Sequence, residues 1–447
     1  MVITEAQPVP RVTCEATEWI ASGAAPTPAA RIWARHALLD WLGVTIAGMD
    51  EPLVSILREE MGRPGSCTLI GGGSVDPHTA ALINGAAGHA LDYDDVVSAL
   101  NGHPTAPVAP AVLALAEETK TSGAAVIDAL IVGVEVEAAL GAMTGGSHYE
   151  KGFHATGTLG TLGAAAGCAR LLGLDAVQTS WALGIAASQA AGLKCNFGTM
   201  TKPFHVGKAA ANGLLAARLA ARGFTANPEA IEASAGLMWT QAPDFAPAPF
   251  RPDPAAPMHV EHLLFKYHAA CYLTHAPMNA IIALRERHGL TLDDMAEMTI
   301  TVSPRLRDVC NIQEPATGLE VKFSLRHTGV LALAGAQTAS LDAYTDEVAH
   351  DPELVTARGQ TRVAINPDRD WMTGHVAIHL TDGRVLTAEA DAGQPASDTD
   401  AQWDALGTKF SALVPPVLGA DRAQALIDAI SGIEQMEDIG ALMTLTR

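Results

Sequence analysis

Apolar and polar positions recur along the chain with two different periods, and the change of period divides it. From about residue 25 to 240, apolar residues return every three or four positions, the spacing of one helix face. The stretch 28–48 shows the pattern well. Ala34, Ala37, Leu38, Trp41 and Leu42 line one side, Pro28 stands near the start and Gly48 near the end, as helix termini favour. The same signal predicts helices at 78–91, 107–119, 123–143, 157–172, 176–193, 203–222 and 227–238. Small residues fill these segments, as in GAAGHA, LGAAAGCA and GKAAANGLLAARLA. Small side chains let helix axes approach closely, so the pattern predicts a dense helix-on-helix core. No fixed period of 30–50 residues repeats, so no solenoid is expected.

The pattern breaks at 241–259, where QAPDFAPAPFRPDPAAPMH carries six prolines and reads as an extended connection. After one further helix at about 272–288, the period becomes two. Residues 298–304 read as a strand and 357–367 as another. Residues 375–390 form the clearest hairpin, with alternating arms around the turn Thr381-Asp382-Gly383-Arg384. A smaller α+β domain is therefore expected at 262–395. The tail from about 400 is helical again. The expected fold is mainly α: an all-helical domain made of 1–261 and 396–447, with the α+β domain between its two parts.

Composition narrows what such a fold does. The 447 residues carry 28 Lys and Arg against 49 Asp and Glu, a net charge of −21, which argues against general nucleic-acid binding. No run of 18 consecutive apolar residues is present, so no membrane span is expected. Residues 1–19 show neither a basic nor an apolar leader segment. The six cysteines lie far apart with no C-x-x-C and read as reduced thiols of a cytoplasmic protein. In so acidic a chain an anionic substrate needs local positive charge, which makes the clusters of Lys and His the informative places.

Five clusters stand out. The first is His89-Ala90-Leu91-Asp92-Tyr93-Asp94-Asp95, followed by Asn101-Gly102-His103-Pro104-Thr105. His89, Asp92 and Asp95 are three apart, which on a helix brings them near one face. Three acids within four residues repel unless hydrogen bonds, a cation or protonation relieves them. A divalent metal is one reading, substrate positioning or catalysis a second, and an acidic helix end a third. The second cluster, Tyr149 to Thr158, puts His154 and two threonines on a Gly-rich turn ahead of a small-residue helix, where free N–H groups suit a carboxylate. The third is Asn196 to Lys208. There Thr201, Lys202 and His205 surround Pro203 at another helix start, and Lys202 becomes a base if desolvation lowers its pKa.

The fourth cluster is Phe265 to His275, with Lys266, Tyr267, His268, Cys271 and Tyr272 at the expected domain junction. A lone cysteine of this kind is more often a small buried hydrophobe than a nucleophile. The fifth, Val321 to His327, is basic and follows a loop. For the second and third clusters the plain alternative is a capped helix start with satisfied histidines or surface bases.

Taken together the clusters resemble the MmgE/PrpD family. The carriers, in order, are NGAAGHALDYDDV (84–96), GHPT (102–105), GFHATGT (152–158), GTMTKPFHVGKAA (198–210), FKYHAACYLTHAP (265–277) and KFSLRH (322–327). The family includes 2-methylcitrate dehydratase, cis-aconitate decarboxylase and iminodisuccinate epimerase. The resemblance implies a large helical domain with an inserted α+β lid, a homodimer, no cofactor and no metal. It also implies proton transfer at a carbon next to a carboxylate of a di- or polycarboxylic acid. Such chemistry needs a positioned base and stabilisation of an enolate-like intermediate. The resemblance gives active-site roles to Asp92, His103, His154, Lys202 and Lys266. We assign Lys202, His205 and Lys266 mainly to carboxylate binding, with Thr201 and His327 lining the substrate. His103 and His154 are then the acid/base groups, Asp92 orients a neighbouring histidine, and Tyr149 is a further acid/base candidate.

Two departures bear on the reaction. Val96-Val97-Ser98 stands where dehydratase and decarboxylase members typically carry a Trp, and His327 where they tend to have Tyr. These changes reshape the pocket and turn the expectation toward an epimerase, with a lyase of the same family as the alternative. A metal-dependent hydrolase built on His89, Asp92, Asp95 and His103 is the remote third reading. The adjacent His-Asp pair of helical phosphohydrolases occurs only at His350-Asp351, in a loop-like stretch.

Overall fold

A computed structural model describes residues 11–251 and 253–447. The leader reading of residues 1–19 therefore falls partly outside the described residues. The chain divides into two compact units, 1–263 with 398–447, and 264–397.

The first unit opens with helices α1 (Val12–Ala21), α2 (Pro28–Gly48) and α3 (Pro52–Met61), then strands β1 (Pro64–Thr68) and β2 (Ser74–Val75). Helices α4 (Pro77–Ala90), α5 (Thr105–Thr119), α6 (Gly123–Met143), α7 (Ser147–Glu150), α8 (Ala155–Leu171), α9 (Ala176–Ala187), α10 (Thr201–Ala221) and α11 (Leu237–Gln241) follow. The fold is mainly α, as the 3.6-residue period requires. It is not wholly helical, because β1 and β2 pair antiparallel. The helix expected at 227–238 is not formed: the chain makes turns there, and only Leu237–Gln241 is helical. Asn227 and the Asn227 carbonyl support that turn, with the Asn227 side chain accepting from the Glu229 amide at 2.9 Å, the local competition with helix that Asn favours.

Capping explains several of the starts. Thr27 accepts from the Ala30 amide at 3.0 Å ahead of Pro28, and Asp76 accepts from the His78 and Thr79 amides ahead of Pro77. Each satisfies amides that a helix start leaves unpaired. The core is built by close approach. A Cβ on Gly207 of α10 would lie 2.2 Å from the Leu82 carbonyl oxygen of α4, and one on Gly133 of α6 would lie 2.4 Å from Val108 of α5. The small residues thus set how near α10 and α4 lie, and these two helices carry Lys202 and the approach to Asp92.

The second unit holds α12 (His275–His288), β3 (Met295–Val302), α13 (Pro304–Val309), α14 (Gly318–Val321), α15 (Leu325–Ala334), α16 (Asp346–Ala349), α17 (Pro352–Gly359), β4 (Thr361–Ile365), β5 (Thr373–Leu380) and β6 (Val385–Asp391). The sheet order is β4-β3-β5-β6, with β3 and β4 parallel and the remaining pairs antiparallel. The Asp382-Gly383 turn closes β5 onto β6, and Gly383 takes φ +88°, as such a turn demands. Alternate residues of β3 and β5, among them Met298, Ile300, Val302, Val376 and Ile378, pack with Met278, Ile281 and Val330 of the helices. The chain then returns to the first unit with α18 (Thr399–Leu413), α19 (Pro415–Leu418), α20 (Ala420–Ser431) and α21 (Gly440–Leu445). Among the described residues, no helix is long and apolar enough to cross a membrane.

Candidate active site

The first cluster is not one helix face. Helix α4 ends at Ala90, and Asp92 takes φ +50°, so the chain turns and residues 92–95 run on outside the helix. Side chains then alternate. Asp92 and Asp94 both approach His103, while Asp95 leaves in another direction. The expectation that His89, Asp92 and Asp95 share a helix face is corrected accordingly.

Asp94 is the hub. Its two carboxylate oxygens lie 3.0 and 2.9 Å from His89 Nδ1, and His103 Nδ1 approaches Oδ2 at 3.1 Å. His103 Nε2 stands 3.5 Å from Asp92 Oδ1. Lys202 Nζ donates to that same Asp92 oxygen at 2.7 Å. Burial alone would raise the Asp94 carboxyl, but His103 and His89 outweigh it and hold it well below the usual carboxylate range. Burial lowers His89 to about 4, against the pull of Asp94 and with help from Lys202. His89 is therefore neutral near pH 7, and a proton on Nδ1 that donates to Asp94 leaves Nε2 as the basic nitrogen. Nε2 has no hydrogen-bond partner among the described residues.

Asp95 is equally buried but plays another part. It accepts from the Thr105 hydroxyl at 2.5 Å and from the Thr105 amide at 3.3 Å, which ties the loop to the first turn of α5. Burial, only partly offset by Thr105 and reinforced by Asp40 and Asp94, pushes its carboxyl well above the ordinary value. Asp94 stays ionised while its neighbour Asp95 is driven toward the neutral acid.

His154 precedes α8 in an extended conformation and makes no side-chain cap, so its imidazole is available to the cluster. Its Nδ1 lies 3.2 Å from His205 Nδ1. Its ring stacks on His89 with centroids 5.7 Å apart and meets Phe197 edge-on at 4.9 Å. The rings of His89 and His103 are 4.5 Å apart. Burial, then the neighbouring His89 and Lys202, lower His154 strongly. His205 is lowered by burial and by Lys202. Thr156 accepts from the His103 amide at 3.1 Å, and a Cβ on Gly102 would come within 2.8 Å of that Thr156 hydroxyl. Glycine at 102 thus lets the α8 start hold the loop that carries His103.

The cluster brings together Asp92, His103, His154, Lys202 and His205 from four separate stretches of sequence. Two of its members, Asp94 and His89, carry more of the geometry than the sequence reading gave them. The missed signal is the alternation of acids at 92 and 94 after a helix end. Thr201 opens α10 beside Lys202, and its amide donates to Thr199 at 3.2 Å. Tyr149 packs against Lys194, whose Nζ lies 3.5 Å above the ring and also donates to the Tyr149 carbonyl at 3.0 Å.

Lys266 and His327 belong to the second unit, and both are buried there. His327 Nδ1 lies 3.3 Å from Arg358 Nη1, and burial and Arg358 lower its imidazole to about 4. His268 is a satisfied core histidine, bonded to Thr338 and Asn279.

Ligand atoms of His89, Asp92, Asp94 and His103 all lie within 4.8 Å of one another, a donor set that divalent ions accept. The Lys202 ammonium already meets Asp92, so the set contains its own cation.

Comparison with known proteins identifies the architecture. Residues 16–247 match the MmgE/PrpD N-terminal domain and residues 268–435 match the MmgE/PrpD C-terminal domain. The chain belongs to the MmgE/PrpD family. Relatives within reach include a cis-aconitate decarboxylase from Homo sapiens, 28% identical over 83% of this chain and 79% of that protein. A cis-aconitate decarboxylase from Aspergillus terreus is 28% identical over 92% of this chain and 90% of its own length. A cis-aconitate decarboxylase-like protein from Aspergillus oryzae is 26% identical over 100% of this chain and 99% of its own. These MmgE/PrpD relatives are enzymes named for the release of CO₂. The epimerase expected from Val96, Val97, Ser98 and His327 has no counterpart among these relatives' names.

Proposed function

We propose that this chain is a cofactor-independent lyase acting on a di- or tricarboxylate of the cis-aconitate kind. The observation that carries the reading is the convergence of His89 and His103 on Asp94, beside the Lys202–Asp92 pair and the His154–His205 pair. The names of the relatives support the same class.

In this reading Lys202 and His205 hold substrate carboxylates, with Thr201 at the same helix start. Decarboxylation breaks a C–CO₂ bond. The released pair forms a new C=C bond to the neighbouring carbon, and the original π pair moves to the far alkene carbon beside a second carboxylate, where Lys202 stabilises the developing charge. CO₂ leaves, and a proton is delivered to the carbon that received the pair. His103 and His154 are the acid/base groups, and Asp94 fixes the tautomers of His89 and His103. Burial, the largest cause of its lowering, keeps the His154 imidazole neutral. No metal enters the scheme. The substrate is a small molecule, and a homodimer with no nucleic-acid or membrane partner completes the reading.

The test is incubation with cis-aconitate in D₂O, reading CO₂ and deuterium at the new C–H bond. CO₂ release with one solvent deuteron supports the lyase. Water release from 2-methylcitrate moves the assignment to dehydration. Epimerisation is a second reading, favoured by Val96, Val97 and Ser98 and by acid/base groups on separate elements. It predicts interconversion of iminodisuccinate isomers, with deuterium gain at the α-carbon and no loss of water or CO₂.

A further inference from the structure

The peptide between the two active carboxylates is held from the far end of the chain. Lys409, on α18, donates from Nζ to the Tyr93 carbonyl oxygen at 2.7 Å and to Asp40 Oδ1 of α2 at 2.5 Å. Its ammonium also lies 3.8 Å from the Tyr93 ring centroid. Lys409, Asp40 and Tyr93 are 2%, 3% and 1% exposed, so all three groups lie out of water. Charge-assisted bonds of this kind are the short, directional ones.

Tyr93 sits between Asp92, with φ +50°, and Asp94. A non-glycine residue persists in the left-handed region when its surroundings over-determine it. Two contacts from outside the loop restrain it here. Thr105 pins Asp95, and Lys409 pins the Tyr93 carbonyl. If the 93–94 peptide rotated, Asp94 would swing away from His89 and His103, and Asp92 away from Lys202.

A buried ion pair is a poor device for stability, since apolar residues of similar volume often replace it without loss. What apolar residues cannot do is bond a carbonyl. We propose that Lys409, held by Asp40, is a positioning residue of the active site, fixing the Tyr93 peptide so that Asp92 and Asp94 face Lys202, His103 and His89. This goes beyond the reaction assigned above but shares its site. The turnover part of its test rests on the lyase reading.

Two double variants separate positioning from folding. Asp40→Leu with Lys409→Met removes charge and donor together. Asp40→Asn with Lys409→Gln removes the charges but keeps a donor for the carbonyl. The first readout needs no substrate: the downfield proton resonance of the His89–Asp94 hydrogen bond. It distinguishes failure of this inference from failure of the lyase reading. The second readout is kcat and KM on cis-aconitate.

The donor-free variant is expected to unfold cooperatively, to lose or shift the downfield proton, and to lose roughly tenfold or more in kcat with KM within about twofold. The donor-keeping variant is expected to retain the proton and most of the turnover. A folded donor-free variant with an unchanged proton resonance overturns the inference, and so does equal damage in both variants. Failure of the donor-free variant to fold overturns it as well, since the pair would then serve the fold first.

Discussion

Lys202 and Asp92 are 110 residues apart in sequence, and the lysine donates to the carboxylate at 2.7 Å. The pair is half open: Asp92's side chain is 38% exposed and Lys202's 17%. A substrate carboxylate can therefore compete for the ammonium, which a fully buried pair would not allow.

Lys202→Met should remove both the carboxylate anchor and the charge that stabilises an enolate-like intermediate. The expected loss in kcat/KM is about 10²–10⁴-fold, with the fold intact by circular dichroism. Steady-state kinetics on cis-aconitate check it. A loss below about threefold would place Lys202 outside the chemistry.

Asp94→Asn keeps shape but removes the acceptor shared by His89 and His103. An amide can donate where the carboxylate only accepted, which favours the wrong imidazole tautomer. The expected fall in kcat is roughly 10²–10⁴-fold, the scale seen when an orienting carboxylate is lost. Asp95→Asn should cost far less in turnover, because Asp95 faces Thr105 and is already driven toward its neutral form.

Exhaustive chelation followed by assay in metal-free buffer should leave turnover unchanged. The Lys202 ammonium supplies the positive charge that a divalent ion would bring to the His89, Asp92, Asp94 and His103 set. Loss of activity that Zn²⁺ or Mn²⁺ restores would refute this and revive a metal-dependent reading.

His36 offers a pH test of stability. Burial, then Arg35, lower its imidazole to about 4, and Gln402 donates to its Nδ1 at 2.8 Å. A histidine lowered in the folded state leaves the unfolded chain binding more protons between pH 6.5 and 4. Stability therefore falls as pH falls through that window and levels below it. His36→Phe should reduce this acid loss by about 3 kcal/mol, read from urea unfolding at pH 7 and pH 4. It should also be less stable at pH 7, because Gln402 loses its partner.

Glu137 gives the opposite sign. It is fully buried in α6, and neither carboxylate oxygen has a hydrogen-bond partner among the described residues. Burial, then Asp95, push its carboxyl well above the ordinary glutamate value of about 4.5. Its contribution is fully present below that value and is lost as pH rises toward the raised one. Glu137→Gln should gain on the parent by about 1 kcal/mol or more at pH 8 and show little difference at pH 4. Thermal unfolding at the two pH values measures both.

The helices were legible where the apolar period was sustained, as for 28–48 and 123–143. The hairpin at 375–390 was legible because Asp382-Gly383 admits few conformations. Residues 227–238 misled because Ala and Glu carry helix propensity, while Asn227 and Gly236 favour turns; propensity lost to local hydrogen bonding. The β1 strand was invisible because Pro64, Gly65 and Ser66 carry no alternation. At the site the residue types were readable but their partnerships were not. A helical spacing grouped Asp92 with Asp95, whereas the helix stops at Ala90 and the period becomes two. Nothing local to Tyr93 announces Lys409, because contacts across 316 residues leave no mark in a sequence window.

That last contact has a consequence for synthesis. A ribosome emits Asp92, His103, His154 and Lys202 long before it reaches residue 409. The nascent chain can assemble its helices, yet the peptide at Tyr93 waits for α18. A chain stopped at residue 398 should be able to collapse around its small-residue core and still lack an ordered catalytic loop. Competence would then arrive late in translation, as the last helices emerge.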